Sequence, residues 1–275
     1  MTKPIDFTNQ ANTTGSDVTK PLNTTPDPSS QHQKEPLFIA VEGPIGVGKT
    51  TLTKLLTKKL EATCLKEIIE ENPYLKKFYE NIEEYAFQTE MFFLCNRIKQ
   101  LEDTQYQKLD KGLSVVADYS IIKNYIFAGL TLKPDHFQKY EKVFEILTKD
   151  LPQPDIIIYL HGDVDLLMKR IALRDRPFER NMSRDYMEKL SVAYDRYFSS
   201  EDIEPSIDNF EPSSEQKHLD PNSSDQPSIV QRPTAIISID IQERDFVNRP
   251  EDVVFLMEEI TKIIHQRRIQ SCSPN

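Results

Sequence analysis

Gly43-Pro44-Ile45-Gly46-Val47-Gly48-Lys49-Thr50-Thr51 carries the spacing G-x-x-x-x-G-K-T, and those residue types in that order can hold phosphate. The glycines let backbone N–H groups converge on phosphate oxygens, and the amino end of a following helix adds a favourable dipole. Lys49 supplies a point charge for the outer phosphates, and the Thr50 hydroxyl is placed to ligate magnesium. The string has this meaning only between a strand and a helix. Here the apolar run Leu37-Phe38-Ile39-Ala40-Val41 precedes it, and the helical pattern Leu52-Thr53-Lys54-Leu55-Leu56 follows. That context outweighs the bland alternative of a glycine turn ahead of an ordinary helix. The segment is predicted to bind a nucleoside triphosphate such as ATP.

Phosphoryl transfer also needs cations that follow the migrating charge and a group that orients the acceptor. Arg170, Arg174, Arg176 and Arg180 can supply the cations. Arg170 and Arg174 are four apart, hence on one helix face, and Arg176 and Arg180 fall in the loop beyond. A solvated basic face is the plain alternative. The position of the cluster after a strand and helix of the same sheet favours a lid closing over triphosphate. Glu67 and Asp118 are the acids available to the acceptor, since each closes a strand pattern. Asp118 suits metal ligation together with Thr50, which leaves Glu67 for the hydroxyl proton, although the two roles are interchangeable on this reading.

The elements that must position these groups alternate along the chain. Strand patterns fall at 37–41, 62–69, 113–118, 154–160 and 234–239. Helical patterns fall at 74–81, 85–108, 121–130, 134–149, 183–198 and 250–265, with a further helix after Asp163, a natural N-cap. Apolar strands alternating with helices imply an α/β fold of the P-loop type, in three layers, with a parallel sheet of about five strands and a helical lid. In such a sheet ligands sit beyond the strand carboxyl ends. The P-loop, Glu67 and Asp118 should therefore surround one crevice.

The rest of the composition bounds the partners. The chain has 275 residues and a formal net charge of −10, which argues against a nucleic-acid backbone partner. Residues 1–35 are polar and Pro/Thr/Asn-rich without periodicity, and are predicted to be a disordered tail ahead of a kinase-type domain over 36–270. Residues 199–233 are Pro-, Ser- and acid-rich and read as a flexible insertion, because a strand pattern resumes after it. Residues 271–275 read as a short tail. No segment has the pattern of a secretory signal or a membrane span. Cys64, Cys95 and Cys272 show no paired or metal-type spacing, so a reduced, cytoplasmic protein is expected, with Cys64 and Cys95 as small buried apolar residues.

Several separated segments now resemble one family. Gly43–Thr50, the run from Glu67 to Leu75, Phe78-Tyr79, the run from Phe87 to Arg97, Ala117-Asp118-Tyr119-Ser120 and Arg174-Asp175-Arg176-Pro177-Phe178-Glu179 are similar to the deoxynucleoside kinases, more narrowly to their bacterial deoxyguanosine kinase branch. The resemblance runs from about 36 to 198 and resumes weakly at 234. It implies transfer of the ATP γ-phosphate to the 5′-hydroxyl of a deoxynucleoside, with magnesium, in a homodimer. It further implies that Glu67 lies by the 5′-hydroxyl, that Asp118 has base or metal duty, and that Tyr79 and Glu179 hold the sugar 3′-hydroxyl. Tyr119 stands at a position of the acceptor site where the family usually has arginine. Asp175 stands where the family's lid commonly has glycine, which predicts lid closure tuned differently.

The base pocket follows from donors and acceptors. Glu90 and Arg97 are seven apart on one helix face, with Gln88 on the opposite side. A carboxylate at Glu90 offers two acceptors and no donor, which suits guanine's N1–H and N2–H₂ and opposes adenine's N1. A donor from Lys123 or Asn124, and from Arg97, suits guanine O6 or N7. The alternative for Glu90 is an intrahelical pair with Arg97. Phe92, Phe93 and Phe127 read as core residues, one of them available to stack on a base. The rival functions are a deoxyadenosine or broad-specificity kinase, a nucleoside monophosphate kinase, disfavoured by Glu67, Glu70 and Glu71 where a dianion would sit, and a non-catalytic nucleotide-binding regulator.

Overall fold

A computed structural model describes residues 35–69, 71–199 and 234–271. The expected tail over 1–35 lies outside the described residues except for Glu35, and the insertion over 199–233 except for Ser199, which closes the helix before it; Glu70, and Cys272 with the last residues, also lie outside them. Five strands and eight α-helices are present among the described residues: β1 Phe38–Glu42, α1 Lys49–Leu60, β2 Thr63–Leu65, α2 Leu75–Glu80, α3 Ile82–Gln107, β3 Val115–Ala117, α4 Ile122–Thr131, α5 Pro134–Thr148, β4 Ile156–His161, α6 Val164–Arg174, α7 Arg184–Ser199, β5 Ala235–Asp240 and α8 Pro250–Ser271.

The strands form one sheet in the order β2-β3-β1-β4-β5, parallel throughout, with Ala40 opposite both Ala117 and Ile157. Every side chain of β1 is buried, as a strand covered on both faces requires. Alternate residues of β3 serve different layers. Val115 and Ala117 pack with Leu94 and Leu101 of α3, Tyr125 of α4 and Tyr140 of α5, while Val116 belongs to the cluster containing Leu52 of α1, Leu167 of α6 and Leu256 of α8. The sheet thus presents the ends of β1, β2 and β3 side by side, and the chain segments leaving those ends carry the P-loop, Glu67 and Asp118.

Local chemistry explains where elements start and stop. Asn81 accepts from the Glu84 N–H at 3.3 Å and starts α3 at Ile82, three residues ahead of the predicted start. β2 is three residues long instead of the expected eight, because Ile69 leaves the sheet to pack with Leu75 and Phe78. Helix α8 runs to Ser271 instead of 265, and Arg267 in its last turns donates to Asp155 at 2.8 Å. Asp163 occupies the N-cap position of α6 without capping it: its carboxylate accepts from Gln242 at 2.6 Å and ties the α6 start to the segment after β5. Cys64 is half-buried and Cys95 is exposed, not buried as expected, because Cys95 falls on the solvent side of α3.

Candidate active site

The P-loop connects β1 to α1 through a turn that only glycine can make. Gly43 has φ +139°, and a Cβ there would collide with the Leu160 carbonyl oxygen of β4. Val47 buries its side chain in the core and Thr51 donates its N–H to the Gly48 carbonyl oxygen, so both contribute backbone, not chemistry. Lys49 folds back to donate to the Gly43 and Pro44 carbonyl oxygens at 2.5 and 2.9 Å. Burial, reinforced by the neighbouring Lys123 ammonium, pushes the Lys49 ammonium down to about 7. Arg170 reaches from α6 to the Val47 carbonyl oxygen at 3.0 Å and joins the lid helix to the loop.

The two strand-end acids are cross-linked. Asp118 accepts from the Glu67 backbone N–H at 2.7 Å through one oxygen and from the Thr50 hydroxyl at 3.0 Å through the other. The Glu67 side chain is 5 % exposed and lies between Arg97 and Lys123, with the Lys123 ammonium at 2.6 Å. Burial alone would raise its carboxyl. The Lys123 and Arg97 cations outweigh that and bring it down to about 2.

These groups line one cleft, walled by polar and apolar side chains together. Ile45, Gly46, Lys49 and Thr50 lie along it with Glu67, Asp118 and Lys123, and Tyr79, Glu90, Arg97, Arg174, Arg176 and Glu179 complete the wall. Phe93 and Phe127 also line it, whereas Phe92 does not. The Tyr79 ring stacks on Phe178 at 6.4 Å, and Glu179 is buried and held by Arg174 at 2.6 Å, with Arg176 at 3.7 Å. Arg174 ends α6, and Asp175 caps it in the left-handed conformation, φ +49°, with its carboxylate gripped by both ends of the Arg180 guanidinium at 2.7 and 2.8 Å. Arg180 is thereby turned to Asp175 and not to the cleft.

Glu90 and Arg97 both reach the cleft, yet they do not form the intrahelical pair. Arg97 is taken by Glu67 and by the Asn124 side-chain oxygen Oδ1 at 2.6 Å, and its guanidinium lies over the Phe93 ring at 4.9 Å. Its Nε, like the Asn124 Nδ2, is buried without a partner. Glu90 is 2 % exposed, and burial, only partly countered by Arg97 and Thr131, raises its carboxyl to about 7. Gln88 is exposed, as its place on the helix requires.

Two expected substrate contacts sit elsewhere. Tyr119 is fully buried and donates to Gln100 at 2.9 Å, because its side chain alternates away from Asp118 into the layer of α3 and α5. Asn124 is also fully buried and stands behind Arg97, outside the cleft lining, so of the three expected donors to the base Lys123 and Arg97 reach the cleft. One residue escaped the sequence reading. Glu42 ends β1 fully buried, and it accepts from the Ser120 N–H and hydroxyl, from Gly43 N–H at 3.3 Å and from the Tyr194 hydroxyl at 3.3 Å. It ties the P-loop entry to the turn carrying Asp118. Its signal was an acid closing an otherwise apolar, two-sided strand.

Comparisons with known proteins point to one family. The family model described as "Deoxynucleoside kinase" matches residues 39–265. The chain is 52% identical over 158 residues to the deoxyguanosine kinase of Bacillus subtilis, covering 58% of this chain and 76% of that protein. It is 28% identical over 239 residues to the deoxyadenosine/deoxycytidine kinase of the same organism, covering 84% and 94%. The structure of a deoxyadenosine kinase from M. mycoides with bound dATP superposes with a TM-score of 0.62 at 20% identity, covering 82% of this chain and 99% of that one, a likeness of fold. No helix among the described residues is long and apolar enough to cross a membrane. With the phosphate loop, the two cross-linked acids and the lid arginines around one cleft, and a family match spanning most of its length, the chain belongs to the deoxynucleoside kinase family of phosphotransferases.

Proposed function

We propose that this kinase transfers the ATP γ-phosphate to the 5′-hydroxyl of a purine deoxynucleoside, with deoxyguanosine preferred. The observation that carries the base preference is the presence in one cleft wall of a buried acceptor, Glu90, and of Arg97, a buried cation that retains an unpartnered N–H. Guanine presents donors at N1 and N2 and acceptors at O6 and N7, which complements Glu90 and Arg97 in turn. Asn124 holds Arg97 from behind instead of touching the base. The likeness to the Bacillus subtilis deoxyguanosine kinase supports the same reading.

Lys49 and the P-loop amides hold the phosphates in this mechanism, and Arg170, Arg174 and Arg176 bring positive charge to the transferred group. The phosphate draws Lys49 away from the Gly43 and Pro44 carbonyl oxygens that it contacts here. Thr50 and Asp118 fit a magnesium ion, because a hydroxyl and a carboxylate oxygen 3.0 Å apart form the small oxygen-only set that phosphates and water complete. When bound there, the ion would neutralise charge on the phosphate oxygens. Glu67 orients the 5′-hydroxyl and takes its proton once the base draws Arg97 aside. A loose phosphoryl-transfer transition state asks more of positioning than of base strength, so a carboxylate as weakly basic as Glu67 suffices. Tyr79 and Glu179, beside each other at the far wall, hold the sugar 3′-hydroxyl. The catalytic unit spans 36–270, and the assembly is a homodimer, which light scattering on the purified chain measures.

The test is ATP consumption, with magnesium, against deoxyguanosine, deoxyadenosine, deoxycytidine, thymidine and their monophosphates. Turnover with deoxyguanosine well above the others is expected. Preference for deoxyadenosine or deoxycytidine would sink the reading of Glu90, and turnover of monophosphates alone would overturn that of Glu67.

A further inference from the structure

We propose that the proton on Glu90 decides which purine edge the cleft reads, so that selection of a 6-oxopurine over a 6-aminopurine deoxynucleoside is itself pH-dependent. This rests on the base-pocket reading above and adds a specificity-determining step to it.

Among the described residues Glu90 has no ion-pair partner of its own, and Arg97 and Lys123 act on it only from a distance. Among the described residues its side chain has one hydrogen-bond neighbour, Thr131, whose Oγ1 lies 3.2 Å from Glu90 Oε1 and 2.8 Å from the Phe127 carbonyl oxygen. A hydroxyl has one hydrogen. When it goes to the nearer carbonyl, no hydrogen bond from the described residues is left to support an ionised Glu90. The cations that face it are already engaged: Arg97 of α3 and Lys123 of α4 both bind Glu67, and Arg174 across the cleft binds Glu179. The remaining titratable groups around it are Glu67 itself and the hydroxyls of Tyr79 on α2, Tyr140 on α5 and Tyr186 on α7, all of which stay neutral or anionic. Burial accordingly lifts its carboxyl to about 7, inside the working range of an enzyme.

The two protonation states present different patterns. Ionised, Glu90 offers two acceptors, which match guanine N1–H and N2–H₂. Protonated, it offers one donor and one acceptor, the pattern of an amide, which matches adenine's N1 and N6–H₂. Binding the 6-oxopurine on the acid side of the titration therefore expels one proton from Glu90 to solvent, and binding the 6-aminopurine expels none. One mispaired buried polar group shifts affinity about tenfold or more.

The experiment measures kcat/KM for deoxyguanosine and deoxyadenosine from pH 6 to 8.5, on the wild type and on Glu90→Gln. The ratio of the two is expected to rise about tenfold with pH in the wild type, and to stay flat in Glu90→Gln near the wild type's acid limit. Calorimetry of deoxyguanosine binding to the wild type at pH 6.5, in buffers of different ionisation enthalpy, should register proton release, whereas deoxyadenosine should not. A constant ratio with deoxyguanosine still preferred, or no proton release, overturns the switch and leaves the proposed substrate standing. Preference for deoxyadenosine at every pH overturns both.

Discussion

Glu42 offers the sharpest test of how this fold holds its chemistry. Its two oxygens accept four hydrogen bonds inside the protein: Ser120 N–H and Ser120 hydroxyl at 2.5 and 2.8 Å on one oxygen, Gly43 N–H and Tyr194 hydroxyl at 3.3 Å on the other. In Glu42→Gln the amide oxygen can keep the shorter pair. The amide nitrogen then meets Tyr194, whose hydroxyl can turn to accept, and Gly43 N–H, which cannot and is left orphaned. One buried unsatisfied donor costs about 1–3 kcal/mol. Glu42→Leu leaves the Ser120 N–H and the Tyr194 hydroxyl unpartnered as well, so the loss should be about two to three times larger. Urea unfolding reads both, through a lower midpoint with an unchanged slope. The pH dependence has a definite sign. Burial raises the Glu42 carboxyl above 4.5, so between those two values the folded chain binds more protons than the unfolded chain. Stability contributed by Glu42 therefore falls as pH rises through that window, and Glu42→Gln should flatten this part of the profile. If Glu42→Leu unfolds within about 0.5 kcal/mol of the wild type, the claim that Glu42 ties the P-loop entry to the Asp118 turn is wrong.

Other outcomes follow from the same contacts. Gly43→Ala should destabilise the chain by more than about 1–3 kcal/mol, since the new Cβ meets the Leu160 carbonyl oxygen in a left-handed turn; unaltered thermal unfolding would refute this. Lys49→Met should lower kcat by about 10²–10³ with little change in deoxynucleoside binding, as separated by steady-state kinetics and calorimetry. Glu179→Gln should lower kcat/KM by about tenfold or more for substrates with a 3′-hydroxyl and much less for 2′,3′-dideoxynucleosides. Equal losses on both would remove Glu179 from the sugar. The Glu67 carboxyl is held at about 2 against 4.5 unfolded, so its stabilisation is present above about pH 5 and is lost as pH falls toward 2, by roughly 3 kcal/mol. Acid unfolding of Glu67→Gln should be shallower over that interval.

Features that depend on local order were readable in the sequence. The phosphate loop is nine consecutive residues whose spacing sets its chemistry, and strand ends that carry acids must converge when the sheet is parallel, as Glu67 and Asp118 do. What depends on the direction of a side chain was not readable. Tyr119 follows Asp118 directly and so points to the opposite side of the chain, into the α3 and α5 layer. Asn124 follows Lys123, and the helix sends one to Glu67 and the other behind Arg97. Glu90 and Arg97 share a helix face, but Glu67, thirty positions from Arg97, wins the guanidinium. No spacing rule along one helix reveals such a competitor.

The left-handed turn at Asp175 has a consequence for the statistics of the lid. Glycine there would reach many backbone states, including those that scatter Arg174 and Arg176. Aspartate excludes most of them and accepts the strain of a positive φ, and the exposed clasp with Arg180 narrows the distribution further. Part of the entropy that phosphate binding would otherwise remove is thus already gone before the nucleotide arrives. Because both partners of the clasp face water, dissolved salt loosens it. Ionic strength becomes a dial on how ready the lid is, acting through a pair of exposed side chains that do not line the cleft.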